Sequence, residues 1–311
     1  MNLEKKVTAL VVTYNRKELL KECLTALIEQ TYSLDKIIVI DNDSTDGTDE
    51  YVTQLCEQVD KINYFKLNEN LGGAGGFYEG IKKSLENDYD FLWLMDDDTI
   101  PNKDSLENLV DDMQTIKEKA SFLASYVYGV EGEPMNVPKI SDRKEQNGYP
   151  FWYKYLDQGL VEIKSATFVS LLIKREAINT VGLPLKEYFI WGDDEEYTQR
   201  LNKYFGPGYF SGNSKVLHKR YNAKALSIKD EELKNRIPLY FYFVRNNLLN
   251  RKAYDKKIGV CLLWGSFFVQ SISILFSRVK FRFSKFLVIQ KGLWSFLFNY
   301  KLRRIFNNRM K

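Results

Sequence analysis

Three carboxylates in a row, Asp96-Asp97-Asp98, follow the hydrophobic run DFLWLM. Side by side they repel one another unless a cation or several donors sit between them. Alternate residues of an extended chain share a face, so Asp96 and Asp98 can grip one ion while Asp97 turns aside. Carboxylate and water ligands suit Mg²⁺ or Mn²⁺ bridging two phosphates. Taken alone, the triplet also fits a solvated acidic turn. The sole histidine, His218, lies between KV and KR. By itself it reads as a surface residue among basic neighbours; as the end of a strand it can complete a two-carboxylate Mn²⁺ shell. A second acidic group, Asp193, Asp194, Glu195 and Glu196, opens the segment WGDDEEYTQR. Acids in a first helical turn are favoured by the helix dipole, which accounts for some of them. One can serve as a general base toward a sugar hydroxyl, and Trp191 can offer a flat apolar face to a sugar ring. A glycine-rich turn, Asn70-Leu71-Gly72-Gly73-Ala74-Gly75-Gly76, allows close backbone approach to a ligand at a helix N-terminus.

The elements that must position these residues alternate in period. Val7–Tyr14, Lys36–Asp41, Asn63–Leu67 and Asp90–Met95 read as strands. Between them Lys17–Gln30, Thr48–Gln58 and a segment running through Leu85 read as helices. Such alternation predicts right-handed βαβ units, a mostly parallel sheet, and ligands at the strands' carboxyl ends. Tyr14, Asp41, Asn70 and Asp96 fall at those ends. Farther on, Glu131–Tyr149 reads as an exposed loop and Val161–Arg175 as one or two strands. Tyr188–Trp191 reads as a short strand, Asp193–Phe205 as a helix and Lys215–His218 as a final strand.

Composition sets the surroundings. Hydrophobic residues make up 44% of the 311 and charged residues 28%, as in a globular chain. Three widely spaced cysteines, Cys23, Cys56 and Cys261, form no CxxC and fit a reducing compartment. MNLEKK enters a strand-length apolar run without a signal-peptide pattern, which places the first part of the chain in the cytoplasm. From Arg251 onward fourteen Lys and Arg face one acid, Asp255, a net of +13 in a chain whose total is +4, leaving −9 before it. Residues 258–277 hold no charge, yet Ser266, Gln270, Ser273 and Ser277 form a polar stripe; basic and aromatic residues follow. This pattern predicts helices lying in a membrane interface, with Trp264 and Trp294 at headgroup depth.

In order and spacing, VVTYNR, VIDNDSTDGT, NLGGAGGF, the aspartate triplet, WGDDEEYTQR and the lone histidine resemble family 2 glycosyltransferases of the GT-A fold over about residues 6–250. NLGGAGGF with LMDDD and WGDDEEY looks most like bacterial galactofuranosyltransferases, with rhamnosyltransferases as near neighbours. The resemblance implies a GT-A, Rossmann-like α/β domain at 1–250 and leaves a C-terminal membrane-associating helical region at 251–311. It implies that Thr13, Asn15 and Arg16 line a nucleotide pocket and that Asp41 meets the uracil or ribose. Asn70, Gly72 and Gly73 would face sugar and diphosphate, and Asp97 is counted with this donor set. Asp96, Asp98 and His218 would hold Mn²⁺ or Mg²⁺. Asp194 would be the base, with Trp191 and Asp193 against the acceptor or sugar. Glu196 and Arg200 match further positions of the same motif. Arg245-Asn246, in YFYFVRNN, resembles a pair that would meet phosphate.

The implied reaction moves galactofuranose from UDP-galactofuranose, with inversion, to a lipid-linked saccharide at the cytoplasmic face of an anionic membrane, without nucleic acid. Without the extra domains of longer relatives, one or a few sugars would be added. A rhamnosyltransferase using dTDP-rhamnose is the nearest alternative. A non-catalytic membrane-surface protein would leave the strand-end acids without purpose. A nucleotide-dependent oxidoreductase would want G-x-G-x-x-G near Tyr14, where TYNRKE stands instead.

Overall fold

A computed structural model describes residues 5–220 and 226–298. They fall into two compact units, drawn from Met1–Lys186 with Asp194–Ala223 and from Glu187–Asp193 with Lys224–Lys311.

The first unit opens with the expected alternation: β1 (Val7–Thr13), α1 (Lys17–Ile28), β2 (Lys36–Asp41), α2 (Thr48–Gln58), β3 (Ile62–Lys66), α3 (Gly72–Ser84) and β4 (Phe91–Asp96). It continues through β5 (Thr99–Pro101), α4 (Ser105–Thr115), β6 (Phe122–Tyr128), β7 (Lys139–Ile140), β8 (Leu160–Ser165), β9 (Leu171–Lys174), α5 (Arg175–Val181), α6 (Asp193–Tyr204) and β10 (Gly208–His218). The sheet runs β3-β2-β1-β4-β9-β6-β10-β8-β7, with β5 paired to β10. It is mixed rather than mostly parallel. The half β3-β2-β1-β4 is parallel as expected, but β9 lies antiparallel to both β4 and β6.

Side chains alternate across the sheet as the pleat requires. Val7, Ala9 and Val11 of β1 pack toward α1, α2 and α4, while Leu10 and Val12 pack toward α3, α5 and α6. The glycines of α3 serve this second layer. A Cβ at Gly76 would lie 2.5 Å from Val12 Cγ1, and one at Gly80 2.5 Å from Leu10 Cδ1. Gly76 and Gly80 thus let α3 come down onto β1.

The second unit holds α7 (Tyr240–Tyr254), α8 (Lys257–Leu275) and α9 (Arg282–Phe298). The boundary expected at 250 falls inside α7, which packs on α9 at Gly292, where a Cβ would lie 2.8 Å from Val244 Cβ. Gln290 Nε2 donates to Ser271 Oγ at 2.7 Å and ties α9 to α8. By length and composition α8 could cross a membrane, and only 17% of its apolar window is buried, which sets it apart from a core helix. Phe276, Phe283, Leu287 and Trp294 are exposed.

Candidate active site

Parallel register brings three strand ends together. Val12 pairs with Asp96 and Thr13 with Asp41, so β1, β2 and β4 finish side by side. After Asp98 the chain turns into β5, whose antiparallel pairing sets Thr99 opposite His218. A bond from Lys219 N to Asp98 O, 2.7 Å, closes the junction. The lone histidine, 120 residues after Asp98 in the numbering, thereby reaches the aspartates.

Asp96, Asp98 and His218 each offer a ligand atom, and these atoms lie within 4.8 Å of one another. Asp98 and His218 are buried. His218 Nε2 lies 3.0 Å from Asp98 Oδ1, yet that oxygen accepts no well-aligned hydrogen bond. Its other oxygen takes Arg16 Nη1 at 2.7 Å. A buried carboxylate oxygen facing an imidazole nitrogen without a hydrogen bond is a position that a shared cation satisfies. Two carboxylates and an imidazole suit Mn²⁺, and with water also Mg²⁺. The electrostatics agree. Burial of the Asp96 carboxyl, with the charges of Asp98 and Asp97, pushes it well above the usual carboxylate range, and Arg16 opposes. Burial also works against ionisation of Asp98, but His218 and then Arg16 outweigh it and hold it below its ordinary value. Three carboxylates thus share one guanidinium, an excess of negative charge that a divalent ion would cancel.

Asp97 is engaged by the end of β1 and by Arg16. It is buried, and Thr13 Oγ1 donates to its Oδ2 at 2.8 Å while Arg16 Nη1 donates to its Oδ1 at 3.2 Å. Burial, with Asp98 nearby, pushes it up to about 6. Asp97 and Thr13 therefore lock β4 to the end of β1 and face inward. Asp41 is likewise turned inward, accepting from Ser44 N at 2.8 Å and from the Tyr64 hydroxyl at 2.5 Å. It shapes the turn after β2. Asn15, in the left-handed region at φ +52°, accepts from Thr45 N at 2.8 Å and joins that turn to β1. Asn70 Oδ1 accepts from Gly72 N at 2.8 Å and starts α3 with a local turn bond. Buried Gly72, at φ +71°, passes its carbonyl to Asn42 Nδ2. Gly73 faces open space, where a Cβ would meet nothing within 4 Å.

Asp194 stands on the first turn of α6, half-buried, its Oδ1 accepting from Glu195 N at 2.7 Å. It is close enough that its charge helps raise Asp96. Glu196 and Arg200, both buried, pair at 3.0 Å, and Arg200 also donates to the carbonyls of Val181 and Leu183. These two brace α6.

The loop ahead of α6 belongs to the second unit. Lys186–Tyr188 is a 3-10 turn, and Phe189, Trp191 and Gly192 take φ of +63°, +61° and +91°, so the short strand expected at 188–191 is absent. Left-handed Phe and Trp cost about 1–3 kcal/mol each and persist only where surroundings hold them. Here α7 holds them. Asn246 Nδ2 donates to the carbonyls of Tyr188, Ile190 and Trp191 at 3.0, 3.1 and 2.8 Å. Arg245 takes Glu187 O at 2.7 Å, and Asn250 takes Gly192 O at 2.8 Å. Arg245 and Asn246 thus bind the protein backbone of this loop. Half-buried Trp191 packs its ring on Tyr240, centroids 5.1 Å apart. Asp193 is buried where the loop enters α6.

The model of the family "Glycosyl transferase family 2" matches residues 8–182, more than half of the chain. The chain belongs to glycosyl transferase family 2. Among relatives within reach of sequence comparison is the galactofuranosyltransferase GlfT1 of Mycobacterium tuberculosis, 39% identical over 207 residues, 63% of this chain and 64% of that one. The protein of the same name from Mycolicibacterium smegmatis is 29% identical over 210 residues, 63% of this chain and 65% of its own. The chain therefore spans just under two thirds of these relatives. A mannosyltransferase from Pyrobaculum calidifontis, solved with GDP-Man and Mn²⁺, superposes with a TM-score of 0.55 at 14% identity, over 96% of this chain and 89% of that one. Staphylococcus aureus TarS superposes at 0.52 and 14%, over 95% of this chain and 44% of that one. Both place the fold with GT-A transferases.

The family match takes in Asp41 and the aspartate triplet but ends before Asp194 and His218, whose placement rests on the sheet. The backbone-holding role of Asn246 and Asn250 was not legible in the sequence, because backbone carbonyls leave no mark there. Asn246→Ala strips three carbonyls of their donor and is expected to cost about 2–4 kcal/mol in chemical or thermal unfolding. Asn247→Ala, whose amide returns only to Phe243 O in its own helix, is expected to cost less than about 1 kcal/mol.

Proposed function

We propose that this protein transfers galactofuranose from UDP-galactofuranose to a hydroxyl of a lipid-linked glycan, with inversion, at the cytoplasmic face of a membrane. The observation that carries this reading is the meeting of Asp96, Asp98 and His218 at the carboxyl ends of parallel strands, with Asp194 within electrostatic reach. The galactofuranosyltransferase relatives support the donor sugar.

In this proposal a divalent cation, when bound, supplies positive charge against the diphosphate of the donor. His218 and then Arg16 favour the ionised form of Asp98, so the pocket carries the negative charge a cation requires. Gly73, at the N-terminus of α3, faces open space and offers its backbone to phosphate or sugar, while Gly72 N–H is held by Asn70. Asp194 takes the proton of the acceptor hydroxyl as its oxygen attacks the anomeric carbon. The new C–O bond forms on the face opposite the breaking C–O bond, whose electron pair leaves with the diphosphate, and the centre inverts.

A donor screen tests the assignment. Purified protein, Mn²⁺ and a lipid-linked acceptor are given UDP-galactofuranose, UDP-galactopyranose, UDP-glucose or dTDP-rhamnose, and nucleotide release is scored. Turnover with UDP-galactofuranose is expected to exceed the others by at least ~10-fold. Turnover with dTDP-rhamnose alone would reassign the donor.

The membrane proposal rests on the exposed apolar faces of α8 and α9 and on the basic excess after Arg251. A full-length Phe276→Ser, Phe283→Ser, Trp294→Ser variant is expected to bind anionic vesicles at least ~10-fold more weakly in sedimentation assays. Unchanged sedimentation would locate the membrane contact elsewhere.

A further inference from the structure

The fold brings one more side chain to His218. Beyond β6 the chain turns back along that strand: Gly129 N donates to Glu133 O at 2.8 Å, Tyr128 bridges Pro134, and Met135 N donates to Val127 O at 3.0 Å. Met135 packs against the cluster of Val127, Val169 and Val216, the last lying two residues before His218 on β10. Held in this way, Asn136 takes a φ of +48°. Asparagine tolerates that region better than most residues. Its Oδ1 stops 2.9 Å from His218 Nδ1, while Nε2, on the other side of the ring, faces Asp98 Oδ1 at 3.0 Å.

We propose that Asn136 is a positioning residue, whose side-chain carbonyl accepts a hydrogen bond from His218 Nδ1–H and so leaves the Nε2 lone pair aimed at the space shared with Asp96 and Asp98. An amide oxygen can only accept, so the proton of the neutral ring must sit on Nδ1. Free imidazole side chains in water prefer the proton on Nε2, and this tautomer therefore needs a partner. Asp98 Oδ1 then meets a lone pair, in agreement with its lack of an aligned donor. With the ring neutral, a cation between Nε2 and Asp98 Oδ1 would meet a lone pair from each side. A ring held in one tautomer and orientation binds metal better than one that must reorganise. The inference rests on the reading of Asp96, Asp98 and His218 as a cation site, and its test separates the two.

His218 is the only histidine, so the full-length protein labelled with [15N]histidine gives one imidazole spin system. Long-range ¹H–¹⁵N correlation at pH 8 with chelator present is expected to show Nδ1 protonated and Nε2 bare. Asn136→Gly keeps the left-handed backbone accessible. It is expected to move the proton to Nε2 and to weaken Mn²⁺ binding, read by calorimetry, about 10–100-fold. Asn136→Asp keeps an acceptor and is expected to retain the wild-type tautomer. Unchanged far-ultraviolet dichroism and melting of both variants exclude a loss of fold. An Nε2–H signal in the wild type would overturn the proposal, as would a tautomer and Mn²⁺ affinity unmoved by Asn136→Gly. A wild type with Nδ1–H that binds no Mn²⁺ would instead sink the cation site and leave the tautomer assignment standing.

Discussion

Removal of divalent cations by EDTA is expected to lower turnover by at least ~10³-fold, with recovery on addition of Mn²⁺ or Mg²⁺. The expectation follows from charge. Asp96, Asp97 and Asp98 crowd one strand end with Arg16 as the guanidinium that reaches two of them. Bringing a nucleotide diphosphate to such a place adds like charge unless a cation enters with it. Burial and its neighbours already hold Asp96 well above the usual carboxylate range, a strain that a bound ion relieves. Asp98→Asn is expected to match the chelated wild type in rate, because an amide keeps the shape and loses the charge. It should also lose Mn²⁺ binding while the melting temperature stays within a few degrees. Full turnover in EDTA would reject the cation and, with it, the role given to His218.

Asp194→Asn is expected to reduce kcat by about 10²–10⁴-fold, the usual contribution of a general base, while UDP affinity is unchanged. The side chain sits half-buried on the first turn of α6, where the helix dipole and Glu195 N hold its carboxylate. It senses Asp96 electrostatically and belongs to another element, so it can face an acceptor while the aspartate triplet faces phosphates. Steady-state rates with product-free UDP titration separate the two effects. Loss of UDP binding would move Asp194 into the nucleotide site. A Glu195→Gln control, at a residue engaged with Lys139 at 2.8 Å, is expected to change kcat by less than ~3-fold.

Much of the first half was legible because its strands are local. Val7–Thr13, Lys36–Asp41 and Phe91–Asp96 are near-continuous apolar runs, each ended by a polar residue at the site edge, and the intervening helices show clear faces. The second half was less so. β6 and α4 went unread, and β9 inserts between β4 and β6 although it comes after both in the chain. Strand order set by such non-local pairing leaves no local periodicity to find. The candidate metal cluster was legible because residue type and strand end sufficed to group Asp96, Asp98 and His218, and the fold places their ligand atoms within 4.8 Å of one another. Sequence does not say which way an oxygen points. Asp41, Asp97, Thr13 and Asn70 sit where expected, yet their polar atoms are engaged by Tyr64, Arg16, Asp97 and Gly72. Asn136 lies in a loop rich in glycine, proline and charge, and only the return of that loop along β6 gives it a role.

The cation site is open to one decisive spectrum. Pulsed electron spin resonance of Mn²⁺ bound to the full-length protein with UDP reads the nitrogen nuclei in the metal's shell. A single imidazole nitrogen coupling, converted by [15N]histidine labelling and absent in His218→Ala, is the expected result. Mn²⁺ that binds with UDP and shows no histidine coupling would contradict the account.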